Sequence, residues 1–488
     1  MKCNLFFNKE FVIGEIDKNI YGSFVEHIGR CVYTGIYEKD HPTADKYGFR
    51  GDVKNLCKEL GVTNIRYPGG NFVSGYNWRD GIGKNRPTRL NIAWQQTEPN
   101  EVGLHEFYDY SKECNFDTMM CCNLGTGTPL EASHMLEYCN FAGETSLTKE
   151  RASNGQADPF NIKYWCLGNE MDGDWQICSM PPEDYAKKSR DAAKLMKKID
   201  PSILLTVCGS SNTVIESYPS WDRVVLENMY DLADYISVHS YYYTHDGDND
   251  VNSYLASYKH FEDNINTIIA TCDYVKALKR SNKTMMLSVD EWNVWRTYEN
   301  QESIEPWGID VERLESKYNL LDALVFGSLM TVLLEHCDRV KIACLAQLVN
   351  VIAPILTKKG GDAIRQTIFY PFSLISKYCR GITLRSINDS IKVDSAKYGQ
   401  YSALKTAVTY DGETGSIVVV NNSLDDSCDL VLPDNVEAFE AYTLNSNDVY
   451  DCNTFENPFK VAPKCTKLNG NKVTISNHSF NLIRFKFK

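Results

Sequence analysis

Short, continuously apolar runs alternate with stretches of helical period over the first three-quarters of the chain. The runs at 20–25, 62–67, 118–123, 163–167, 203–208, 235–239, 284–289 and 340–346 predict strands. Between and after them, apolar positions recur at three- and four-residue spacing and predict helices at 52–60, 104–114, 129–141, 181–199, 221–233, 253–279, 319–337 and 365–378. Some starts are well marked. Pro181-Pro182-Glu183-Asp184 puts prolines and acids in a first turn, where a missing N–H costs nothing and the helix dipole favours negative charge. The strands lack the alternation of a sheet with one wet face, so both faces should be covered. Eight strand–helix units over about 350 residues predict an α/β chain folded as a (β/α)8 TIM barrel, with a doubly wound sheet as the alternative.

Beyond about residue 380 the helical period stops. Runs at 382–393, 403–410, 416–421, 429–432, 438–444 and 472–475 are short, and Gly, Asn, Asp and Pro separate them. That spacing predicts an antiparallel sandwich. Leu482 to Phe487 reads as a closing strand, and 5–13 as a strand that reaches the same sandwich from the other end of the chain. The expected division is an N-terminal strand at 1–17, a barrel at 18–380 and a sandwich at 381–488.

Composition narrows the classes of function. A net charge of −13 supplies no basic footprint over a whole domain, so a nucleic-acid partner is not expected. The first ten residues hold too short an apolar run for a signal peptide. The longest apolar stretch, from Asp322 to Leu334, falls short of the roughly 20 residues of a membrane span. The 17 cysteines include no Cys-x-x-Cys pair, and many sit inside apolar strands (Cys121, Cys122, Cys166, Cys208), where a thiol acts as a small hydrophobe. A cytoplasmic protein with reduced thiols is expected.

Barrel enzymes carry their chemistry just past the C-terminal ends of the strands. Those positions hold Glu26-His27, then Arg66 to Asn71, Asn169-Glu170, His239-Ser240-Tyr241, Asp290-Glu291-Trp292 and Gln347. A carboxylate one or two residues beyond a buried strand is seldom a solvated charge. Glu170 and Glu291, opening into one mouth, form a candidate acid/base and nucleophile pair. A lone strand-end Glu is structural more often than catalytic, but two of them joined by Arg, Asn, His, Tyr and Gln from four other strands reverse those odds. Other features carry less. Gly125-Thr126-Gly127 lacks the third glycine of a dinucleotide loop. His134, His245 and His336 have no ligand-like spacing, so no metal or cofactor is expected. Asp246 to Asp250 lacks the register of a calcium loop and reads as solvated.

The segments Ile20-Tyr21-Gly22, Glu26 to Arg30 (EHIGR), Arg66 to Trp78 (RYPGGNFVSGYNW), Trp165 to Asp172 (WCLGNEMD), Asp290 to Trp295 (DEWNVW) and Lys341 to Pro354 (KIACLAQLVNVIAP) closely resemble glycoside hydrolase family 51, whose best-known members are α-L-arabinofuranosidases. The resemblance runs from the first barrel strand to the end of the chain. It implies a catalytic barrel with a C-terminal jelly-roll sandwich, no cofactor, and retaining double-displacement hydrolysis that removes terminal arabinofuranosyl units from oligosaccharides. It implies Glu170 as acid/base and Glu291 as nucleophile. Glu26, Asn71, Asn169 and Gln347 are implied to hold the furanose hydroxyls, with Trp94 on a loop over the site and His239 among the substrate-binding groups. Arg66 and Tyr241 are implied to position the nucleophile, with Tyr242 as the neighbouring alternative. A homo-oligomer, of which a hexamer is one form, is implied too. Arg66 beside Glu291 is expected to lower that carboxyl's pKa, and apolar surroundings from Trp165, Met171 and Trp175 are expected to keep Glu170 protonated. A same-fold endo-glucanase or β-xylosidase is the nearest rival, and a non-catalytic carbohydrate-binding protein the more distant one.

Overall fold

The computed structural model describes residues 2–245, 249–297 and 306–488. Most of the Asp246 to Asp250 loop and the side chain of His245 therefore lie outside the described residues. Eight parallel strands close into a barrel: β1 (Gly22–Phe24), β2 (Asn64–Tyr67), β3 (Asp117–Cys122), β4 (Tyr164–Leu167), β5 (Leu204–Val207), β6 (Tyr235–His245), β7 (Met286–Thr297) and β8 (Val340–Leu345). They pair in sequence order, and β8 returns to β1 through Cys344 opposite Gly22. Helices cover the outside, so the strands are largely dry on both faces and mostly apolar, with Asn64 and Arg66 of β2 among the buried polar exceptions. The barrel interior is filled by Phe24, Met119, Cys121, Cys166, Ile342 and Cys344.

Two barrel strands run further than the apolar pattern indicates. β6 and β7 continue past His239 and Val289 as a paired ribbon, with Asn293 opposite Tyr241 and Thr297 opposite His245. Their outer halves carry Tyr, Trp, Asn and Arg, which mask the strand from a search for apolar runs, although aromatic residues favour strands. Between Ser288–Ser237 and Glu291–His239 the register slips by one residue, a β-bulge on β7.

The C-terminal β region is a nine-stranded, mostly antiparallel sheet. The N-terminal strand, Lys2–Glu15, lies inside it, antiparallel to Ile382–Asn388 and, through Lys2 to Asn4, parallel to Cys428–Val431. Strand Gly415–Asn421 is buried on both faces. Ile417 and Val419 join the core within the sheet, while Val418 and Val420 join the large core that surrounds the barrel. Between them lies helix Leu320–Glu335, whose residues from Leu320 through Leu334 are all buried. A helix pressed between two layers has no wet side, and this explains its unbroken hydrophobicity. No helix among the described residues is long and apolar enough to cross a membrane.

Candidate active site

The strand-end residues singled out in the sequence meet at one mouth of the barrel. They line a cavity of about 1080 Å³ that includes Glu26, Asn71, Trp94, Glu170, His239, Tyr241, Glu291 and Gln347. A second cavity, of about 310 Å³, lies behind the Trp94 segment and contains neither Glu170 nor Glu291.

The β7 bulge shapes one side of the site. In a regular strand, neighbouring side chains point to opposite faces. Here Asp290 and Glu291 both reach Arg66. Its Nη1 donates to Glu291 Oε1 at 2.7 Å, and its Nε lies 3.7 Å from Asp290 Oδ2. Tyr241 Oη donates to the other Glu291 oxygen at 2.8 Å. Tyr242, one residue on, faces away and meets His260 Nδ1 at 3.1 Å, as strand alternation requires. Arg66 also donates through Nη2 to Asn169 Oδ1 at 2.6 Å. Asn169 Nδ2 in turn approaches Asn71 Oδ1 at 3.4 Å.

Glu170 follows β4 in the left-handed region, with φ of 44°, which turns its side chain into the mouth. Its Oε2 accepts from Trp175 Nε1 at 2.7 Å, and its Oε1 lies 2.9 Å from His239 Nδ1. The surroundings are thus polar and charged, contrary to the apolar setting expected. Trp165 points elsewhere, into the core, with its indole N–H on Ile162 O.

His239 sits among three carboxylates. Nδ1 lies 3.7 Å from Glu291 Oε2 as well, and Nε2 forms an ion pair with Asp290 Oδ1 at 3.2 Å. Burial alone disfavours a charged imidazole, but Glu291, Asp290 and Glu170 together hold its pKa well above the ordinary range. Burial acts against the Asp290 anion too, yet Arg66 and His239 hold its pKa below the usual carboxylate value. For Glu291, burial prevails and raises the pKa, with the Glu170 charge adding to it, while His239, Arg66 and Tyr241 pull it back. Arg66 acts in the expected direction, but desolvation outweighs it. Burial, then the Glu291 charge, also raise the Tyr241 phenol, which stays protonated and donates.

Glu26 closes the group on the β1 side. Its Oε1 accepts from the Phe72 backbone N–H at 2.9 Å and Trp94 Nε1 at 2.7 Å, and its Oε2 from Gln347 Nε2 at 3.1 Å. Burial pushes its pKa up to about 7 in spite of those donors. The Pro68-Gly69-Gly70 turn makes room for it. A Cβ on Gly70 would meet Glu26 Oε2 at 2.9 Å, and Gly69 has φ of +103°, where a Cβ would come within 2.5 Å of Phe24 and 2.7 Å of Glu26. Trp94 is carried between two short strands, Arg89–Asn91 and Gln96–Glu98. That hairpin is braced by His27, whose Nδ1 lies 2.7 Å from Glu98 and Nε2 3.0 Å from Tyr67 Oη.

Several groups escaped the sequence reading. Asp290 was visible as the neighbour of Glu291, but its role as a shared anion under Arg66 and His239 follows from the bulge. Trp295 closes the DEWNVW segment and Tyr243 follows the strand-end Tyr pair, but neither is singled out by the sequence as a site residue, and Glu98 has no signal beyond composition. One ligand atom each from Glu170, His239 and Glu291 falls within 4.8 Å of the others, a spacing that a metal ion could use. The imidazolium, however, has no free lone pair to offer.

Comparison with known proteins agrees with this geometry. Residues 56–266 match the family described as alpha-L-arabinofuranosidase 1 domain, and residues 290–480 the alpha-L-arabinofuranosidase C-terminal domain. The chain is 48% identical over 455 residues to the intracellular exo-alpha-(1->5)-L-arabinofuranosidase 1 of Bacillus subtilis, covering 92% of this chain and 90% of that one. An exo-alpha-(1->6)-L-arabinofuranosidase of Bifidobacterium longum is 45% identical over 94% of this chain and 91% of its own. Among solved structures, a family 51 alpha-L-arabinofuranosidase from Bifidobacterium longum superposes with a TM-score of 0.94 at 39% identity, over 99% of both chains. An alpha-L-arabinofuranosidase arabinose complex from Thermotoga maritima gives 0.88 at 32%, also over 99% of both. With barrel, site and relatives in agreement along nearly its whole length, the chain belongs to glycoside hydrolase family 51, the α-L-arabinofuranosidases.

Proposed function

We propose that this enzyme releases terminal α-L-arabinofuranosyl units from arabinose-containing oligosaccharides by a retaining double displacement. The observation that carries the reading is the facing pair: an oxygen of Glu170 lies within 4.8 Å of one of Glu291. Retaining enzymes hold their carboxyl groups about 5–5.5 Å apart, whereas inverting ones need about 6.5–9.5 Å to admit a water.

In the first step a Glu291 oxygen attacks the anomeric carbon. The bond from that carbon to the leaving oxygen breaks, and Glu170 gives that oxygen its proton. Both Glu291 oxygens already accept a hydrogen bond, from Arg66 and Tyr241, which orients the nucleophile. In the second step a water attacks the same carbon, Glu170 takes its proton, and Glu291 departs as carboxylate. The three carboxylates around His239 favour its charged form, and a positive charge there would offset the repulsion between the two acids. Amide, indole and carboxylate groups of Asn71, Asn169, Gln347, Trp94 and Glu26 supply paired donors and acceptors for sugar hydroxyls. The 17 free thiols and the word intracellular in several relatives' names support a cytoplasmic setting.

The test is proton NMR of the first product from an aryl α-L-arabinofuranoside, in which an initial α-anomer is expected. An initial β-anomer would remove the double displacement. Cleavage of aryl β-xyloside or β-glucoside with none of the arabinofuranoside would remove the substrate class.

A further inference from the structure

Resting on that reading, we propose that a hairpin of the C-terminal β region builds the part of the active site that binds the leaving saccharide, with Tyr398 as its stacking platform. At about 1080 Å³ the cavity is slightly larger than the roughly 300–1000 Å³ usual for a whole ligand, so it has room for more than one pentose. Its wall is not made by the barrel alone. Lys397 and Tyr398 line it from the turn between strands Lys392–Ser395 and Gly399–Ser402.

The turn is fixed to barrel helices at several points. Lys259 Nζ donates to Tyr398 O at 2.7 Å and to Gln400 O at 2.8 Å. The Lys397 N–H donates to Ser253 Oγ at 3.0 Å, and Tyr401 Oη to Asn252 Oδ1 at 3.1 Å. These bonds hold the backbone and leave the Tyr398 ring half-buried, facing the cavity. Its centroid lies 6.1 Å from the His260 ring, and His260 bonds Tyr242 on one side and Thr213 Oγ1, at 2.9 Å, on the other. Lys397 Nζ stands over the Tyr398 ring, 5.1 Å from its centre. A fixed aromatic face beside polar tips suits a sugar ring, whose C–H face stacks and whose hydroxyls bond at the edge. The groups that hold the terminal furanose lie on β1, β2, β4 and β8 and the Trp94 hairpin. Tyr398 lies beside His260, on a helix that follows β6, and β6 stands three strands from β1 in the ring. The C–O bond to be broken would then lie between the two sets.

The experiment compares methyl α-L-arabinofuranoside, which has almost no leaving saccharide, with α-(1→5)-linked arabinotriose. Tyr398→Ala should raise KM for arabinotriose about ten-fold and leave kcat/KM for the methyl glycoside within two-fold, while Tyr398→Phe keeps wild-type values on both. Equal losses on the two substrates, or none, would overturn the proposal, as would a Phe variant as weak as the Ala one. If thermal unfolding shows that Tyr398→Ala is destabilised, Lys397→Ala, on the same turn, carries the test, with a smaller loss confined to arabinotriose. Wild-type enzyme inert on both arabinosides would instead sink the substrate reading on which this rests.

Discussion

At the scale of single residues, the site is governed by how burial and neighbouring charge divide the work. Glu291 is held by two donors, so replacing it with Ala should abolish turnover while leaving Arg66 and Tyr241 around a small void. A small anion such as azide should enter that void and restore part of the activity. Wild-type turnover in the variant would refute the assignment. Glu170→Ala should slow substrates with poor leaving groups by about 10²–10⁴-fold, the usual contribution of a general acid, and activated aryl glycosides much less. Similar losses on both classes would assign Glu170 a different task. Glu26 is tested through stability. Its carboxyl rises from an ordinary 4.5 to about 7 on folding, so between those values the folded state binds more protons than the unfolded one. Its contribution is fully present below pH 4.5 and is lost as pH rises through about 7. Glu26→Gln should therefore flatten the fall in Tm across that window relative to wild type, as thermal unfolding at a series of pH values would show.

At the scale of elements, two features position the chemistry. The β7 bulge turns Asp290 and Glu291 to the same side, and the β6–β7 ribbon places Tyr241 opposite Asn293 so that its hydroxyl meets Glu291. Helix Leu320–Glu335 joins the barrel to the C-terminal sheet through a fully buried surface. Its start is fixed by Asn319 and Asp322, which cap each other's backbone, and Asp322 also takes Arg296 at 2.8 Å from β7. Leu329→Ala in that helix leaves a cavity in a dry interface and should cost about 2–5 kcal/mol, measured by chemical denaturation. A loss below about 1 kcal/mol would mean that the two layers close over the gap.

At the scale of the whole molecule, the chain's first strand completes the sheet formed by its last hundred residues. Lys2–Glu15 separates Ile382–Asn388 from Cys428–Val431, with Cys3, Leu5 and Phe7 buried in the sheet's own core. Removal of residues 1–15 should expose two strand edges and that core, lowering Tm and promoting aggregation, followed by light scattering on heating. An unchanged Tm would show that the remaining strands close without it.

The order of the elements could be read along the chain because it depends on local period. A dry strand needs an unbroken apolar run, and a covering helix needs an apolar stripe. The strand-end glutamates were legible for the same reason, since polar residues directly after such a run have only the barrel mouth to occupy. The motifs around Arg66, Asn169 and Glu291 are contiguous and were legible as a resemblance. What depends on pairing between distant segments was not. The register slip at Asp290, the ribbon beyond His239 and the choice between Tyr241 and Tyr242 are decided by how β6 and β7 align. The polar shell of Glu170 needs Trp175, from the loop after β4, to meet His239 of β6, and the net rise of the Glu291 pKa needs every wall of the pocket in place. The turn at Tyr398 lines the cavity through bonds with Lys259, Ser253 and Asn252, which lie more than a hundred residues away in sequence. Sequence determines which segments are dry. Only the packed chain decides which charges share a pocket and how little water reaches them.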